Sequence, residues 1–239
     1  MGRKGGGVMS PTRILFRDEL IGYARSKVIV VMWVLLPALA IAGYLLLPDR
    51  VMMERSGATK DMVSATAFMA ILMSSLAGTV TALLVAVDIV SERNRKVYEL
   101  FVIRPLKRDR IIWAKFFAVF TTVSLGCVVA LLAGIVVDAL RGHAPSGQAF
   151  IDLAQPLAML LGTIAVSAGV GCVFGVLSRS ILVAVLLILY VGQNLAIVPM
   201  LPVLFGVFPK QFWIVELTSF VLAGLLGWGA ATMFRRSEF

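Results

Sequence analysis

The stretch SERNRKVYELFVIRPLKRDRIIWAK, residues 91–115, is the only long polar run within an otherwise apolar sequence. It contains five Arg and three Lys against three acidic residues. The runs that flank it, Met62–Val87 and Phe116–Val137, contain no Asp, Glu, Lys or Arg. Uncharged runs of this length can cross a lipid bilayer as helices, whereas a densely charged stretch cannot. The stretch therefore predicts a loop that joins two transmembrane helices.

The composition of the whole chain agrees with a membrane protein. Hydrophobic residues make up 60% of the 239 residues and charged residues 15%, whereas a soluble domain carries about 25% charged residues. A bilayer core of about 30 Å requires about 20 helical residues. The uncharged runs that we interpret as six transmembrane helices are Val28–Leu47, Met62–Val87, Phe116–Val137, Leu153–Ser178, Ser180–Pro209 and Leu217–Phe234.

These runs predict one all-α integral membrane domain over residues 1–239. Residues 1–9 are basic and glycine-rich, and we expect them to be disordered. Residues 10–27 carry apolar side chains at helical spacing, which predicts an interfacial helix that packs either on lipid or on the protein's own spans. Residues 28–234 form the six-span bundle. Prolines and a glycine break the apolar stretch 200–212, which predicts a re-entrant segment between spans five and six.

The distribution of basic residues predicts the orientation. With six spans, 17 of the 22 Lys and Arg residues lie on the side of the two termini, and five lie on the other side. Lys and Arg accumulate in cytoplasmic loops, so both termini are expected in the cytoplasm and the protein in the cytoplasmic (inner) membrane. A basic surface at this depth favours membrane lipids with anionic headgroups as partners rather than a nucleic acid.

Residue types that carry enzymatic or metal chemistry are sparse. Cys127 and Cys172 both fall inside membrane runs and have no CxxC spacing, and His143 is the only histidine. No pairing of a nucleophile with a base, and no spacing of metal ligands, is present in the sequence. We therefore expect no catalytic residues and no metal site, and an intramembrane enzyme is disfavoured.

Polar residues inside the predicted spans are candidates for a substrate path or a dimer interface. Ser75 and Thr79 share a helix face, and Gln193 and Asn194 are the most polar pair in any span. Small hydroxyl residues also allow helices to pack closely, and amides can hydrogen-bond to a neighbouring span. Both interpretations of each pair are open at this point.

The fourth span is rich in glycine. Gly171 and Gly175 form a small-xxx-small pair, which predicts that the backbone of another helix approaches here. Only Ser178–Ser180 separates this span from the fifth, so the two are expected to form a tight hairpin.

Within the opening stretch, a short amphipathic helix is predicted over Glu92–Ile103. Val97, Leu100, Phe101 and Arg104 recur at helical spacing, and Glu92–Lys96 and Arg95–Glu99 are opposite charges four residues apart. Pro105 disfavours helix at Arg104 and should end the element. Such a helix could lie on the cytoplasmic face bound to lipid or to a protein.

The stretch resembles the permease subunits of ABC-2-type transporters, the type V ABC exporters. The residues that carry the resemblance are Glu92, Arg93, Glu99, Leu100, Pro105, Leu106, Arg108, Ile112 and Lys115. The sequence departs from the family at Lys96 and Val97, where Gly and Thr or Ser are common, and at Ala114, where Gly is common. The resemblance extends to the layout of the chain, with a basic interfacial N-terminus, six spans and a broken segment before the last one.

This resemblance implies that the Glu92–Ile103 element is a coupling helix in the groove of a separate ABC ATPase subunit. The implied coupling residues are Glu92, Arg93, Lys96, Val97, Glu99, Leu100, Phe101, Arg104 and Pro105. The chain has no GxxxxGK[ST] loop, so it is not itself the ATPase, and ATP and Mg²⁺ would be bound by the partner. A second copy, or a related permease, is also implied. The alternative function is an ATP-independent secondary transporter or channel.

Single cysteines test the predicted topology in a background where Cys127 and Cys172 are replaced by serine. We expect Arg108→Cys to react with a membrane-impermeant maleimide only when the cytoplasmic face is accessible. Arg141→Cys should react in intact cells, because it is predicted to lie outside. The reverse labelling pattern would contradict the orientation.

Overall fold

The structure is a computed structural model, and it describes residues 11–24, 26–46, 50–54, 60–95, 108–140, 147–192, 194–195 and 212–236. The described helices are α1 (Pro11–Ala24), α2 (Lys27–Leu46), α3 (Ala65–Asn94), α4 (Arg108–Leu140), α5 (Gly147–Leu177), α6 (Ile181–Leu187) and α7 (Phe212–Arg236). A π-helical turn, Ile188–Gly192, continues α6. Residues 1–9 lie outside the described part, so their predicted disorder is not tested.

Four of these helices, α3, α4, α5 and α7, are long and apolar enough to cross a membrane. A fifth candidate is the pair formed by α1 and α2, which are bent by 67° at their junction. The predicted helical membrane fold is therefore confirmed in its main part. The count of six spans is not, because the described part of span five, Ile181–Gly192, is shorter than a bilayer requires. The re-entrant segment and the orientation stay predictions.

Two helices extend further than the uncharged runs predicted. Span two was expected to end at Val87, but α3 continues to Asn94. Span three was expected to begin near Phe116, but α4 begins at Arg108 and contains Asp109 in its first turn. Four charged residues in these extensions have partners in neighbouring helices, and these are Asp88, Glu92, Arg93 and Lys115.

A short β-hairpin lies between the first two predicted spans and includes the first three residues of the run Met62–Val87. Strands β1 (Arg50–Glu54) and β2 (Lys60–Ser64) pair antiparallel, with Arg50 opposite Ser64 and Glu54 opposite Lys60. The sequence analysis did not predict these strands, since five-residue strands give too short a pattern to be told from a charged loop.

Helices α3 and α5 pack closely through small residues. A side chain added at Gly171 would lie 2.6 Å from the carbonyl oxygen of Ala82, and one added at Gly175 would lie 3.0 Å from the Cα of Ala86. One turn of helix earlier, Gly78 lies against Ser167. The partners advance together along both chains, so the two helices run parallel. The predicted close approach of a helix backbone at Gly171 and Gly175 is confirmed.

The main hydrophobic core lies between α3, α4 and α5, with α1, α2 and α7 packed around them, and it includes Ile89, Ile112, Val119 and Ile164. A smaller cluster, formed with Ala184 and Ile188, joins α3 to α6 and its π-helical turn. Large apolar side chains on the outer faces of α2, α4, α6 and α7 are exposed. Such an exposed apolar shell is what a membrane bundle presents to lipid.

The α3–α5 packing gives a direct test. We expect Gly171→Ala to lower the free energy of unfolding by about 1–3 kcal/mol, because the new Cβ meets backbone atoms that cannot rotate away. Gly224→Ala on α7 is the matched control, since a Cβ there meets no atom within 4 Å. Thermal unfolding of both variants in the same detergent measures the difference. Equal stability of the two variants would contradict the close approach.

Candidate functional site at the charged end of the bundle

The most unusual residue of the bundle is Lys115 on α4. Its side chain is completely buried, with an exposed fraction of 0%. A buried ammonium is destabilising by several kcal/mol unless opposite charges and hydrogen bonds compensate for the lost water. The structure supplies both kinds of compensation.

Three carboxylates surround the ammonium of Lys115. Its Nζ lies 2.5 Å from Asp88 Oδ2, 2.7 Å from Glu92 Oε1 and 3.0 Å from Glu19 Oε1. Asp88 and Glu92 are four residues apart on α3 and therefore share one face, whereas Glu19 comes from α1. We call these four residues the ion cluster, and the end of the bundle where they lie the charged end.

A tyrosine extends the ion cluster on the side of α1. The hydroxyl of Tyr23 donates a hydrogen bond to Asp88 Oδ2 at 2.7 Å. Tyr23 lies one turn after Glu19 on α1, so two side chains of this helix reach the cluster. Helices α1, α3 and α4 are therefore joined by charge as well as by apolar packing.

The three carboxylates have the spacing of a metal site, since one oxygen of each lies within 4.8 Å of the others. The ammonium of Lys115 is bonded to all three of them. It therefore takes the place that a cation would occupy. The arrangement is accordingly that of a buried ion cluster with an internal cation.

Arg93 joins the end of α3 to the end of α5. Its two terminal nitrogens donate hydrogen bonds to the carbonyl oxygens of Val176 at 2.7 Å and Ser178 at 3.0 Å. The carbonyls at a helix C-terminus lack partners within the helix and carry partial negative charge, so a guanidinium suits this position. Arg93 thereby holds the short turn between α5 and α6.

The two ends of the polar stretch, residues 91–115, are in contact with each other. Glu92 lies near its start and Lys115 at its end, and their side chains meet at 2.7 Å. Residues 96–107 of the stretch lie outside the described part of the chain. The two described ends of the stretch therefore meet at one ion pair.

Comparison with protein families identifies the chain. The model of the ABC-2 family transporter protein matches residues 15–193, which is more than half of the sequence. The chain belongs to the ABC-2 transporter family. No individual curated protein matches it. The match begins within α1 and covers the whole ion cluster together with the Arg93 contacts. As an ABC-2 family member, the protein is a membrane component of an ABC transporter, and the predicted resemblance is confirmed.

The structure describes two of the predicted coupling residues of this ABC-2 protein. Glu92 and Arg93 lie in the last turn of α3, not in a separate helix as the sequence analysis had them, and both are bonded within the chain. The other predicted coupling residues lie outside the described residues, and these are Lys96, Val97, Glu99, Leu100, Phe101, Arg104 and Pro105. Their contact with an ATPase stays a prediction.

The candidates for a substrate path are not brought together within the described residues. Ser75 is exposed, and Thr79 donates its hydroxyl to the carbonyl oxygen of Ser75 at 3.0 Å. Asn194 is exposed and donates to the carbonyl oxygen of Tyr190 at 2.8 Å. Gln193 lies outside the described part. Each described hydrogen bond here is local to its own helix, and a role in a path or a dimer interface stays a prediction.

The sequence analysis did not predict the burial of Glu216. The residue lies on α7, is 4% exposed, and its carboxylate lies against Gly162 of α5. Gly162 leaves the space that the carboxylate fills. The two residues lie in different spans, and no rule of sequence spacing relates an acidic residue in one span to a glycine in another.

The ion cluster predicts a strong effect of one substitution. Lys115→Met leaves three carboxylates close together without their cation, so we expect a loss of about 3–5 kcal/mol in the free energy of unfolding. Lys27→Met, at the exposed start of α2, should change stability by less than about 0.5 kcal/mol. Thermal unfolding in detergent compares the two variants.

A second measurement distinguishes lost charge pairing from lost packing. Adding Asp88→Asn and Glu92→Gln to Lys115→Met should recover part of the stability, because the uncompensated charges are removed. A triple variant that is less stable than Lys115→Met alone would contradict the ion cluster as described.

Proposed function

We propose that the protein is the permease subunit of an ATP-driven ABC exporter. It would couple ATP hydrolysis by a separate ATPase subunit to the movement of a substrate across the cytoplasmic membrane. The observation that best supports this function is the ion pair between Glu92 and Lys115, which fixes both ends of the polar stretch to the bundle.

Because of this ion pair, a partner protein that binds the stretch could move the helices at both of its ends. Residues 96–107 would dock in a groove of the ATPase through Leu100 and Phe101, with Glu99 as a polar contact. A displacement of this segment would act on α3 and α4 together, because Glu92 and Lys115 tie the two helices at its base. Without an ion pair at its base, the segment could change its own conformation when it is displaced and leave the two helices where they are.

The contacts around the base offer two routes by which the displacement would spread. Glu19 and Tyr23 connect the cluster to α1. Arg93 connects α3 to the carbonyls at the end of α5 and so to the turn that begins α6. Most of the described helices would therefore respond to one moving segment.

The partners follow from the same proposal. The ATPase would bind ATP and Mg²⁺, since the sequence has no phosphate-binding loop of its own. Two permease copies, or this chain and a related one, would form the substrate path. The charged end would face the cytoplasm, where the ATPase lies.

One observation favours the alternative of an ATP-independent transporter. Glu216 is a buried carboxylate within a candidate membrane span, and such groups often serve proton or ion pathways. Transport that persists in vesicles without any ATPase, and that Glu216→Gln abolishes, would select this alternative.

The coupling role can be tested with the ATPase that copurifies with the permease. We expect Glu99→Lys to reduce copurification and substrate-stimulated ATP hydrolysis at least tenfold, because it reverses a charge at the proposed docking segment. Glu54→Lys makes the same change of charge in strand β1, on the side predicted to be external, and should have no effect. If Glu99→Lys retains full copurification and stimulated hydrolysis, the assignment of the coupling segment is wrong.

A further inference from the structure

A cavity of about 160 Å³ opens between the first turns of α4 and the last turns of α7, at the charged end of the bundle. None of the residues that line it belongs to the ion cluster or to the set proposed to couple to the ATPase. The principal residues that line it are Asp109, Arg110, Trp113, Trp228, Thr232 and Arg235. Two guanidinium groups and two indoles therefore line the same cavity.

The apolar wall of the cavity is fixed by packing. Trp113 lies against Gly227 of α7, where an added Cβ would be 3.1 Å from Cη2 of the indole. The same indole stacks on Phe117, with ring centroids 5.7 Å apart and an interplanar angle of 25°. Trp113 is therefore held between the two helices. Trp228 is 63% exposed and presents its ring to the surroundings of the bundle.

The polar wall carries two guanidinium groups, those of Arg110 and Arg235. In the part of the chain that the structure describes, neither Arg110 nor Arg235 forms an ion pair. The hydroxyl of Thr232 donates to the carbonyl oxygen of Gly229 at 2.8 Å and is therefore already used as a donor. Asp109 adds one acceptor, so the cavity carries a net positive charge.

This combination fits one class of ligand. Guanidinium groups bind phosphate oxygens through paired hydrogen bonds, and tryptophan is enriched at the level of lipid headgroups. Basic pockets between transmembrane helices bind the headgroups of anionic lipids. We propose that this cavity binds the phosphodiester of an anionic glycerophospholipid, held by Arg110 and Arg235, with its glycerol and upper acyl chain against Trp113 and Trp228.

Asp109 refines the choice of headgroup. Its carboxylate accepts hydrogen bonds and repels a second negative charge near the bound phosphodiester. A headgroup with hydroxyl donors and a single negative charge therefore fits better than one with a doubly charged phosphate. Phosphatidylglycerol has these properties and is the probe for the experiment below.

The experiment titrates the purified full-length chain in detergent with phosphatidylglycerol and counts bound lipids by native mass spectrometry. Phosphatidylcholine with the same acyl chains is the neutral comparison. We expect a preference for phosphatidylglycerol, a loss of about fivefold in affinity for Arg110→Gln or Arg235→Gln, and about 25-fold for both together. Arg236→Gln removes the same charge from the neighbouring residue, which does not line the cavity, and should leave the affinity unchanged.

Two outcomes would overturn the proposal. If Arg236→Gln weakens binding as much as Arg235→Gln, the attraction belongs to the charged surface in general and not to the cavity. If millimolar inorganic phosphate or glycerol phosphate displaces the lipid, the cavity is a site for a free phosphate and not for a lipid. We expect neither compound to compete, because the acyl chain contact with the two indoles adds to the binding.

Fluorescence gives a measurement that does not depend on the stability of the double variant. Brominated phosphatidylglycerol should quench the tryptophan emission of the unmodified protein more strongly than brominated phosphatidylcholine at equal mole fraction. Trp113→Phe together with Trp228→Phe should remove most of this difference, whereas Trp213→Phe, at the opposite end of α7, should retain it. Equal quenching by the two lipids in the unmodified protein would contradict the site.

Discussion

The buried ammonium of Lys115 is the constraint on which the arrangement of the charged end depends. An unpaired ammonium in this position would cost several kcal/mol, a large share of the stability of a typical domain. Its three carboxylate partners come from two other helices, α1 and α3. None of these helices can turn or slide along α4 without separating at least one charge pair. Apolar packing alone would be less selective, because aliphatic side chains of similar size can exchange neighbours at little cost. The ion cluster therefore fixes the register of α1, α3 and α4.

Helix α3 transmits this constraint to the rest of the bundle because it uses different faces for different neighbours. Asp88 and Glu92 lie on the face that meets α4 and α1. Ala82 and Ala86 lie on another face, against Gly171 and Gly175 of α5, and Arg93 falls on that same face at the helical period of 3.6 residues. The small-residue packing and the Arg93 hydrogen bonds therefore lie in line and hold the same partner. Since a Cβ at Gly171 would already meet the backbone of α3, α5 has little freedom to shift when α3 moves.

The sequence predicted those features that depend on local composition. It did not predict those in which a buried polar residue of one helix is accommodated by a residue of another helix. Uncharged runs located the membrane helices, and the spacing of Gly171 and Gly175 predicted the close packing that the structure shows. The helix ends were predicted wrongly because charge was taken as a sign of exposure, whereas Asp88, Glu92 and Lys115 neutralise one another inside the bundle. The burial of Glu216 was not predicted for a related reason, since the space for its carboxylate is provided by a glycine more than fifty residues away in the chain. Neither relation has a spacing rule that could be applied before the fold is known.

At the charged end, the geometry of the hydrogen-bond acceptors at each position explains whether the residue is a lysine or an arginine. An ammonium has three N–H donors around one point charge, and Lys115 meets three carboxylate oxygens within 3.0 Å. A planar guanidinium could not point its donors toward three acids gathered around a single point. Arg93 instead faces two carbonyl oxygens side by side, which matches the fork of a guanidinium. Arg110 and Arg235 line the cavity between α4 and α7 and form no ion pair within the described chain. Their planar guanidinium groups are suited to binding a phosphate. Among these four described basic residues, Lys115 and Arg93 therefore join helices of the bundle, whereas Arg110 and Arg235 line the cavity.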